Sequence, residues 1–319
     1  MSRRSRPKLS IIIPCYNEEE IIQDSIKTIL GELNLLINKD KVSKDSYIFL
    51  IDDGSSDKTW EIIKKINENN NKVKGLKFTN NFGHQSALMA GIMHCKDESD
   101  ASITIDADMQ QEPNKIINFI ENYCSGSDIV FGVRYDRKTD GKIKKITALF
   151  FYKLARFLGI NIIPNHADYR LLSSRAANLL SQYQEPDLIL RAICPRLGLK
   201  NSIVYFNVKP RSAGKSKYTF LRMLGLAVDS ITSFTVAPLR MITALGALVI
   251  FFSILMGIYI LYIALINGDV VKGWTSTIFA IYFIGGIQIL CIAIIGEYIG
   301  KILIIEKNRP RYHIDERLL

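Results

Sequence analysis

The sequence predicts an α/β domain built on a mostly parallel sheet, followed by a C-terminal part that crosses a membrane twice. Two observations carry this prediction. Short β-rich runs alternate with helical patterns through residues 1–214, and such alternation is typical of a parallel sheet covered by helices on both faces. The stretch from Met241 to Gly296 then contains only two charged residues, Asp269 and Lys272, although 23% of the whole chain is charged.

The predicted strands are β-rich runs separated by turn residues and helical patterns. They are Leu9–Pro14, Tyr47–Asp52, Val73–Thr79, Ala101–Asp106 and Asp128–Val133. Between the first two, apolar residues at helical spacing predict an amphipathic helix, namely Ile22, Ile26, Ile29, Leu33 and Ile37. A second helix is expected to begin near Lys58, where Ser55, Ser56 or Asp57 can act as its N-cap. Ligands of such sheets bind beyond the carboxyl ends of the strands, and we expect the functional site there.

Two uncharged runs near the C-terminus, Met241–Ile266 and Trp274–Gly296, each exceed the roughly 20 residues that an α-helix needs to cross a bilayer. They predict a tight hairpin of transmembrane helices at about 241–266 and 274–300. A buried helical hairpin in a soluble core is the alternative, which the length and uniform apolarity of the runs disfavour. Basic residues flank both runs, namely Arg222, Arg240, Lys301, Lys307, Arg309 and Arg311. The positive-inside rule therefore predicts a multi-pass protein of the inner (cytoplasmic) membrane with both termini in the cytoplasm.

The domain organisation follows from these runs. We predict a cytosolic domain at 1–214, a juxtamembrane amphipathic segment at 215–240, the membrane part at 241–305 and a cytosolic tail at 306–319. The basic N-terminus is followed by only "LSIII" before Pro14. Since that apolar run is too short for a signal peptide, the first domain is expected to stay in the cytosol.

Charge, cysteine content and missing motifs exclude several classes of protein. The net charge of +10 fits work against anionic lipid and anionic substrates, and by itself would fit nucleic-acid binding equally well. The basic residues crowd toward the membrane segment, so nucleic acid is not an expected partner. Five cysteines without C-x-x-C spacing predict reduced packing residues rather than a zinc site or disulfides. Neither G-x-G-x-x-G nor G-x-x-x-x-G-K-[ST] occurs, which disfavours a dehydrogenase or a P-loop NTPase.

The motif "TIDADMQQEP" (Thr104–Pro113) ends the fourth predicted strand with paired aspartates. If strand geometry continues through it, one side of the strand presents Asp106, Asp108 and Gln110. Neighbouring carboxylates raise each other's pKa unless a cation lies between them, and such oxygen ligands suit Mg²⁺ or Mn²⁺. The alternative is a solvated acidic strand end. Because "IDDGSSD" (Ile51–Asp57) and "PCYNEEE" (Pro14–Glu20) end two further strands on the same edge, a binding site is favoured.

Seven motifs in this order resemble those of the family 2 inverting glycosyltransferases: "LSIIIPCYNEEE", "IDDGSSDKT", "NNFGHQSALMAGI", "TIDADMQQEP", "ADYRLLSSRA", "RSAGKSKY" and "SITSFTVAPLR". More narrowly, they are similar to polyprenyl-phosphate glycosyltransferases related to dolichol-phosphate mannose synthase and bactoprenol glucosyltransferase. The resemblance covers nearly the whole chain. It implies a GT-A nucleotide-sugar-binding domain and transfer of one sugar, with a UDP-sugar as the expected donor, to polyprenyl (undecaprenyl) phosphate. The product would serve cell-envelope glycans such as lipopolysaccharide, and a homo-oligomer, a tetramer in some relatives, is implied.

The resemblance also implies roles for individual residues. The nucleotide sugar would contact Pro14, Tyr16, Glu18, Asp53, Asp106, Arg211 and Lys217. The metal, Mg²⁺ or Mn²⁺, would be held by Asp106, Asp108 and Gln110, and the acceptor phosphate by Arg134 and Arg170. The implied catalytic residues are Asp168, Asp108 and Arg170. Asp168 is expected to position the acceptor or the metal, since a lipid monophosphate is already largely a dianion at neutral pH; a general-base role is the alternative.

Some features depart from the family or leave alternatives open. Gln111, Glu112 and a single Pro113 follow the metal motif, where the family usually has an acidic residue and two prolines. Lys215 replaces a common glutamate, and it can tighten donor binding or face solvent. The segment Lys142–Ile160 fits an interfacial amphipathic helix or an ordinary surface helix. A processive polysaccharide synthase would need a Q-x-x-R-W motif, which is absent, and a catalytically silent partner of a flippase would have lost the metal ligands, which are present.

Overall fold

The computed structural model describes residues 5–135, 163–183, 185, 189–208, 273–307 and 309–319, with isolated helical positions between 239 and 262. Its centre is an eight-stranded sheet with the strand order β7-β5-β6-β4-β1-β2-β3-β8. The strands are β1 (Leu9–Cys15), β2 (Tyr47–Asp52), β3 (Val73–Phe78), β4 (Ala101–Thr104), β5 (Ile129–Arg134), β6 (His166–Ser173), β7 (Asn201–Phe206) and β8 (Ile314–Leu318).

Most of this sheet is parallel, as the sequence predicts. β1 pairs in parallel with β2 and β4, β2 with β3, and β5 with β7. β6 is antiparallel to both of its neighbours, and β8 is antiparallel to β3. Since Thr104 of β4 lies opposite Arg170 of β6, the first residues of β6 reach the edge where β4 ends. That reversal adds a strand start to the carboxyl edge of the parallel strands.

Helices cover both faces of the sheet. They are α1 (Ile22–Asn38), α2 (Thr59–Asn69), α3 (His84–Cys95), α4 (Ile116–Cys124), α5 (Ser174–Leu180) and α6 (Leu190–Ile193), with 3₁₀ turns at Pro113–Lys115 and Cys194–Leu197. α1 buries most of the stripe that predicted it, since Ile22, Ile26, Ile29 and Leu33 are inaccessible to solvent or nearly so. All residues of β1 and β2 are buried, as expected for central strands packed on both faces.

The predicted end of the fourth strand was wrong, and the eighth strand was missed. The fourth strand ends at Thr104, before the paired aspartates, because the chain turns through residues 107–109 and Met109 has a left-handed φ of 56°. Strand geometry therefore does not align Asp106, Asp108 and Gln110. The segment predicted as a cytosolic tail also supplies β8, and Arg309–Leu319 belongs to the same compact unit as the sheet.

The second predicted membrane span is a long helix, α7 (Trp274–Glu306). Among the described residues, its part Phe283–Glu306 is the one helix long and apolar enough to cross a membrane, with a mean hydropathy of 1.9. A single helix of this kind is weak support for a membrane segment. The first predicted span, 241–266, lies mostly outside the described residues, and Lys142–Ile160 lies entirely outside them. The two-helix hairpin remains a prediction.

Two helical glycines allow the packing of α3 to be tested. A Cβ on Gly91 of α3 would lie 2.4 Å from Ile12 Cγ2 of β1, whereas a Cβ on Gly31 of α1 would meet no atom within 4 Å. We expect Gly91→Ala to lower the free energy of unfolding by about 2 kcal/mol through overpacking. Gly31→Ala should raise it by about 0.5 to 1 kcal/mol, because alanine is the better helix former. Thermal unfolding of both variants would measure this, and equal stabilities would contradict the packing described.

Candidate active site

The loops that follow β1 and β2 are locked together by hydrogen bonds. Asn17 N–H donates to Ser55 Oγ (2.9 Å), Glu18 N–H to Thr59 Oγ1 (2.9 Å) and Glu19 N–H to Asp57 Oδ2 (3.1 Å). Asp57 Oδ1 also accepts from Thr59 N–H, the first residue of α2. The N-cap position itself is Lys58, so none of the three predicted residues occupies it, although Asp57 bonds the first residue of the helix from one position earlier. These bonds make one polar rim from two adjacent strand ends.

Asp53 ties this rim to the loop between β3 and α3. Its carboxylate accepts from Phe82 N–H (2.7 Å) and Gly83 N–H (2.9 Å), and the residue is buried. Burial raises the pKa of Asp53, an effect that these two bonds oppose. Its predicted neighbours in the donor pocket lie on the same rim, with Pro14 buried and the side chain of Tyr16 partly exposed. Contact between Asp53 and a nucleoside base stays a prediction.

Asp106 follows β4 and is held by Gln111. Gln111 Nε2 donates to Asp106 Oδ2 (2.5 Å), and Asp106 N–H donates to Gln111 Oε1 (3.1 Å). Gln111 is buried. This residue departs from the family pattern, yet its amide fits both the carboxylate and the backbone of Asp106. It therefore fixes the direction of the first predicted metal ligand.

The other predicted metal ligands lie on the turn after Asp106. Asp108 Oδ1 accepts from Gln110 N–H (3.1 Å), so side chain and backbone close the turn together. Asp106 Oδ1 is inaccessible to solvent and has no hydrogen-bond partner, although 31% of the whole side chain is exposed. Burial raises the pKa of this carboxyl, with His84 opposing the rise and Asp168 and Asp108 adding to it. A divalent cation would supply the missing partner, so the residues present fit a metal.

The structure describes no group of three or more His, Cys, Asp or Glu side chains already gathered for a metal ion within its described ranges. Two carboxylates and an amide suit Mg²⁺ or Mn²⁺, which complete their shell with water and phosphate oxygens. Such an ion does not require an all-protein cage. The choice between the two metals stays open.

Asp168 of β6 is the most strongly paired carboxylate of the site. It is buried, and one oxygen contacts the guanidinium of Arg170, while the other accepts from Arg191 Nη2 (2.6 Å). Burial alone would raise its pKa, but the charges of Arg191 and Arg170 hold the pKa of Asp168 well below its usual range. Asp168 is therefore an anion fixed between two cations. That state suits a positioning residue better than a proton acceptor.

His84, the first residue of α3, bridges the two carboxylates. Its Nε2 lies 3.6 Å from Asp106 Oδ1 and 3.7 Å from Asp168 Oδ2. Burial lowers the pKa of His84, but Asp168 and Asp106 reverse this effect and leave the pKa above its ordinary value. The carboxyl edge of the sheet thus carries two carboxylates, with His84 near both and the guanidinium groups of Arg170 and Arg191 on Asp168.

The structure brings together only some of the predicted site residues. Arg170 is fully buried, with its Nη1 3.7 Å from Cys194 Sγ, and its contact with an acceptor phosphate stays a prediction. Arg134 ends β5 and is half-buried. Arg211 and Lys217 lie outside the described residues. The sequence placed His84 at the start of a helix near the donor pocket, where the structure has it, with a surface position as the alternative. Sequence reasoning missed Gln111 and Arg191; Gln111 lies in a quoted motif, but nothing in the sequence signalled Arg191.

His166, at the start of β6, makes a pH dependence of stability measurable. It is 3% exposed and packs edge-on against Phe131, and burial, with Arg170 and Arg191, lowers its pKa to about 2. The unfolded chain takes up a proton near pH 6.5 whereas the folded protein does not, so stability falls as pH drops below 6.5. We expect a loss of about 2 kcal/mol between pH 6.5 and 5.0. Thermal unfolding should show this loss, and His166→Phe should abolish that part of the slope; an unchanged slope would contradict the neutral buried state.

Comparison with known proteins identifies the family. The model named "Glycosyl transferase family 2" matches residues 10–180. The uncharacterized glycosyltransferase YkoT of Bacillus subtilis (strain 168) is 45% identical over 98% of this chain and 93% of its own length. The chain is a family 2 glycosyltransferase. It is also similar to the SfII prophage-derived bactoprenol glucosyl transferase of Shigella flexneri, at 37% identity over 96% of this chain and 97% of that protein.

Solved structures resemble this glycosyltransferase more distantly. Glucosyl-3-phosphoglycerate synthase from Mycobacterium tuberculosis, solved with Mn²⁺, UDP and glucosyl-3-phosphoglycerate, is 16% identical over 70% of this chain and 77% of that chain, with a TM-score of 0.46. The family match covers β1 to β6, and so includes the strand ends that carry Asp53, Asp106 and Asp168. The glycosyltransferase therefore has a GT-A type α/β fold, and the rim just described is its candidate active site.

Proposed function

We propose that this enzyme transfers one sugar, with inversion, from a UDP-sugar to polyprenyl phosphate at the cytoplasmic face of the inner membrane. The observation that carries the proposal is the edge of the sheet where an incompletely bonded carboxylate, Asp106, faces cationic groups around Asp168. A metal diphosphate and a second phosphate need this mixture of anionic and cationic groups. Similarity to bactoprenol glucosyl transferases along nearly the whole chain supports the lipid acceptor.

The donor would lie along the rim formed by the β1 and β2 loops. Tyr16 and Asp53 would contact the nucleoside beside Pro14 and Glu18, while the diphosphate would lie toward Asp106. The site would hold Mg²⁺ or Mn²⁺ on Asp106, Asp108 and Gln110; when bound, this ion neutralises charge on the departing nucleoside diphosphate. Gln111 would keep Asp106 directed toward the metal, and Arg211 and Lys217 would contact phosphate oxygens.

The acceptor phosphate would approach from the side of β5 and β6. Arg134 would grip it, and Arg170 would hold Asp168 in place from within the core. Because a lipid monophosphate is largely a dianion at neutral pH, no strong base is needed for its attack on the sugar. Asp168, already fixed as an anion by two guanidinium groups, would orient Arg191 and His84 around the reacting phosphates.

The membrane part would bring the lipid to this site. The transmembrane hairpin at 241–266 and 274–300 would anchor the enzyme with both termini in the cytoplasm, and the segments 142–160 and 215–240 would lie at the bilayer surface. A homo-oligomer, such as a tetramer, is compatible with that arrangement. The product would be a polyprenyl-phosphate sugar for modification of cell-envelope glycans.

The deciding experiment is transfer of radioactive label into the organic phase. Membranes containing the enzyme would receive undecaprenyl phosphate, Mg²⁺ and one labelled sugar at a time from a panel of UDP-, GDP- and dTDP-sugars. We expect label from a UDP-sugar that is lost in Asp108→Ala and retained in the surface control Asp97→Ala. Label from a GDP- or dTDP-sugar would replace the uridine donor, and no label from any donor with folded protein would contradict the proposed reaction.

A further inference from the structure

The C-terminal residues of the chain add the outer strand β8 to the sheet, on the side of the loops proposed to bind the donor. β8 pairs antiparallel with β3, with Leu318 opposite Gly75 and Ile314 opposite Phe78. Beyond the strand, Thr79 N–H donates to His313 O (3.0 Å). An ion pair between Lys64 and Glu316 (2.5 Å) fastens the middle of the strand. The C-terminal segment, Arg309–Leu319, thus covers what would otherwise be an open edge of the sheet.

An aromatic cluster joins this segment to the β3–α3 loop, Thr79–Gly83. Tyr312 stacks on Phe78 with ring centroids 4.7 Å apart and an interplanar angle of 12°. His313 meets Phe82 edge-on at 5.8 Å, and Phe82 meets Phe78 edge-on at the same distance. Phe82 is therefore held from two sides, one of them the C-terminal segment. Aromatic pairs of this kind contribute beyond the area they bury.

The loop held by this cluster carries the donor-side hydrogen bonds. Phe82 N–H and Gly83 N–H are the two donors to the Asp53 carboxylate. Gly83 has a φ of 93°, and the next residue, His84, lies near both Asp106 and Asp168. A shift of Phe82 would therefore move Asp53 and His84 together.

We propose that the C-terminal segment positions the β3–α3 loop for donor binding, with Tyr312 and His313 as its positioning residues. Covering the edge of β3 needs only backbone pairing, which any strand supplies. The aromatic contacts are additional to that pairing, and they end on the residue that bonds Asp53. The inference rests on the proposed function in taking a nucleotide as the ligand of this loop.

The test compares Tyr312→Ala/His313→Ala with the wild-type enzyme, both as full chains in detergent. Hydrogen exchange of the backbone amides at Thr79, Phe82 and Gly83 should be about tenfold faster in the double variant, because loosened contacts favour local opening. Binding of UDP with Mn²⁺ should weaken about tenfold, and transfer at saturating donor should fall by a smaller factor than binding. Asp315→Asn, at an exposed residue of the same strand, is the matched control and should keep the wild-type values, and Tyr312→Phe should keep them too because it retains the stacked ring.

Each outcome decides the proposal. Unchanged exchange in the loop, or exchange that rises equally throughout the sheet, would overturn it. A double variant that fails to fold would be replaced by Tyr312→Leu, read by the same local exchange. If the wild-type enzyme bound no nucleotide at all, the proposed donor would fail, and the exchange result would still decide whether the segment holds the loop.

Discussion

Asp168→Asn is expected to lower sugar transfer by at least about a hundredfold, the effect typical of misplaced reacting groups. The substitution removes the charge that compensates Arg170 and Arg191 while keeping the shape of the side chain. Since Arg170 is fully buried and Asp168 nearly so, breaking the pair should also cost about 3 kcal/mol of stability. Transfer assays and thermal unfolding of the same preparation would measure both effects.

The pH dependence of this defect separates two roles for Asp168. Its pKa is held low in the folded protein, so its contribution to stability is complete above the ordinary carboxyl pKa and is lost only as pH falls through the lowered value. A positioning role therefore predicts a defect of equal size from pH 5.5 to 9. A defect confined to pH below about 6, where the acceptor phosphate still carries a proton, would favour general-base catalysis.

Asp97→Asn is the matched control for this pair. Asp97 also forms an ion pair, with Lys96 at 2.7 Å, but 68% of its side chain is exposed. Exposed pairs contribute little because water and salt screen them. Wild-type transfer and stability are expected for this variant. If Asp97→Asn lost as much transfer and stability as Asp168→Asn, the effect of Asp168 could not be attributed to its burial.

The sequence predicted the edge of the site because that edge follows from strand order. Alternating strands and helices imply parallel pairing, and parallel pairing brings together the ends of β1, β2 and β4. The observed hydrogen bonds between the β1 and β2 loops agree with that expectation. The polar motifs at these ends were visible before the structure, as the positions of Asp53 and Asp106 illustrate.

The parts that were missed depend on tertiary contacts without a local signal. Arg191 reaches Asp168 from a separate helix, and no spacing rule connects the two residues. β8 has three consecutive charged residues, Asp315, Glu316 and Arg317, and follows the predicted membrane part, so no apolar alternation in the sequence signalled its pairing with β3. The turn at Met109 needed a left-handed residue that glycine usually supplies, and the sequence offered no glycine there. Such features are decided by packing rather than by propensity.

Asp106→Asn is expected to abolish transfer without destabilising the protein. Losing a charged ligand that faces the departing diphosphate should reduce the rate by on the order of a thousandfold, as for other preorganised electrostatic groups. The free energy of unfolding, by contrast, should rise in this variant. Burial makes ionisation of Asp106 unfavourable in the folded state, so its charge lowers stability as pH rises above the ordinary carboxyl pKa, and the neutral amide removes this cost.

The gain for Asp106→Asn is expected to be up to about 1 kcal/mol, within the range of substitutions that relieve functional strain. It is limited by the partial exposure of the side chain, and Gln111 can still donate to the amide oxygen. Thermal unfolding at pH 7.5 without metal, together with binding of Mn²⁺, would test both expectations. A variant that is less stable than wild type and still binds Mn²⁺ with wild-type affinity would show that Asp106 is a structural carboxylate. A variant that is as stable or more stable, but no longer binds the metal, would mean that the enzyme keeps this charge for chemistry, whereas the charge of Asp168 also holds the fold together.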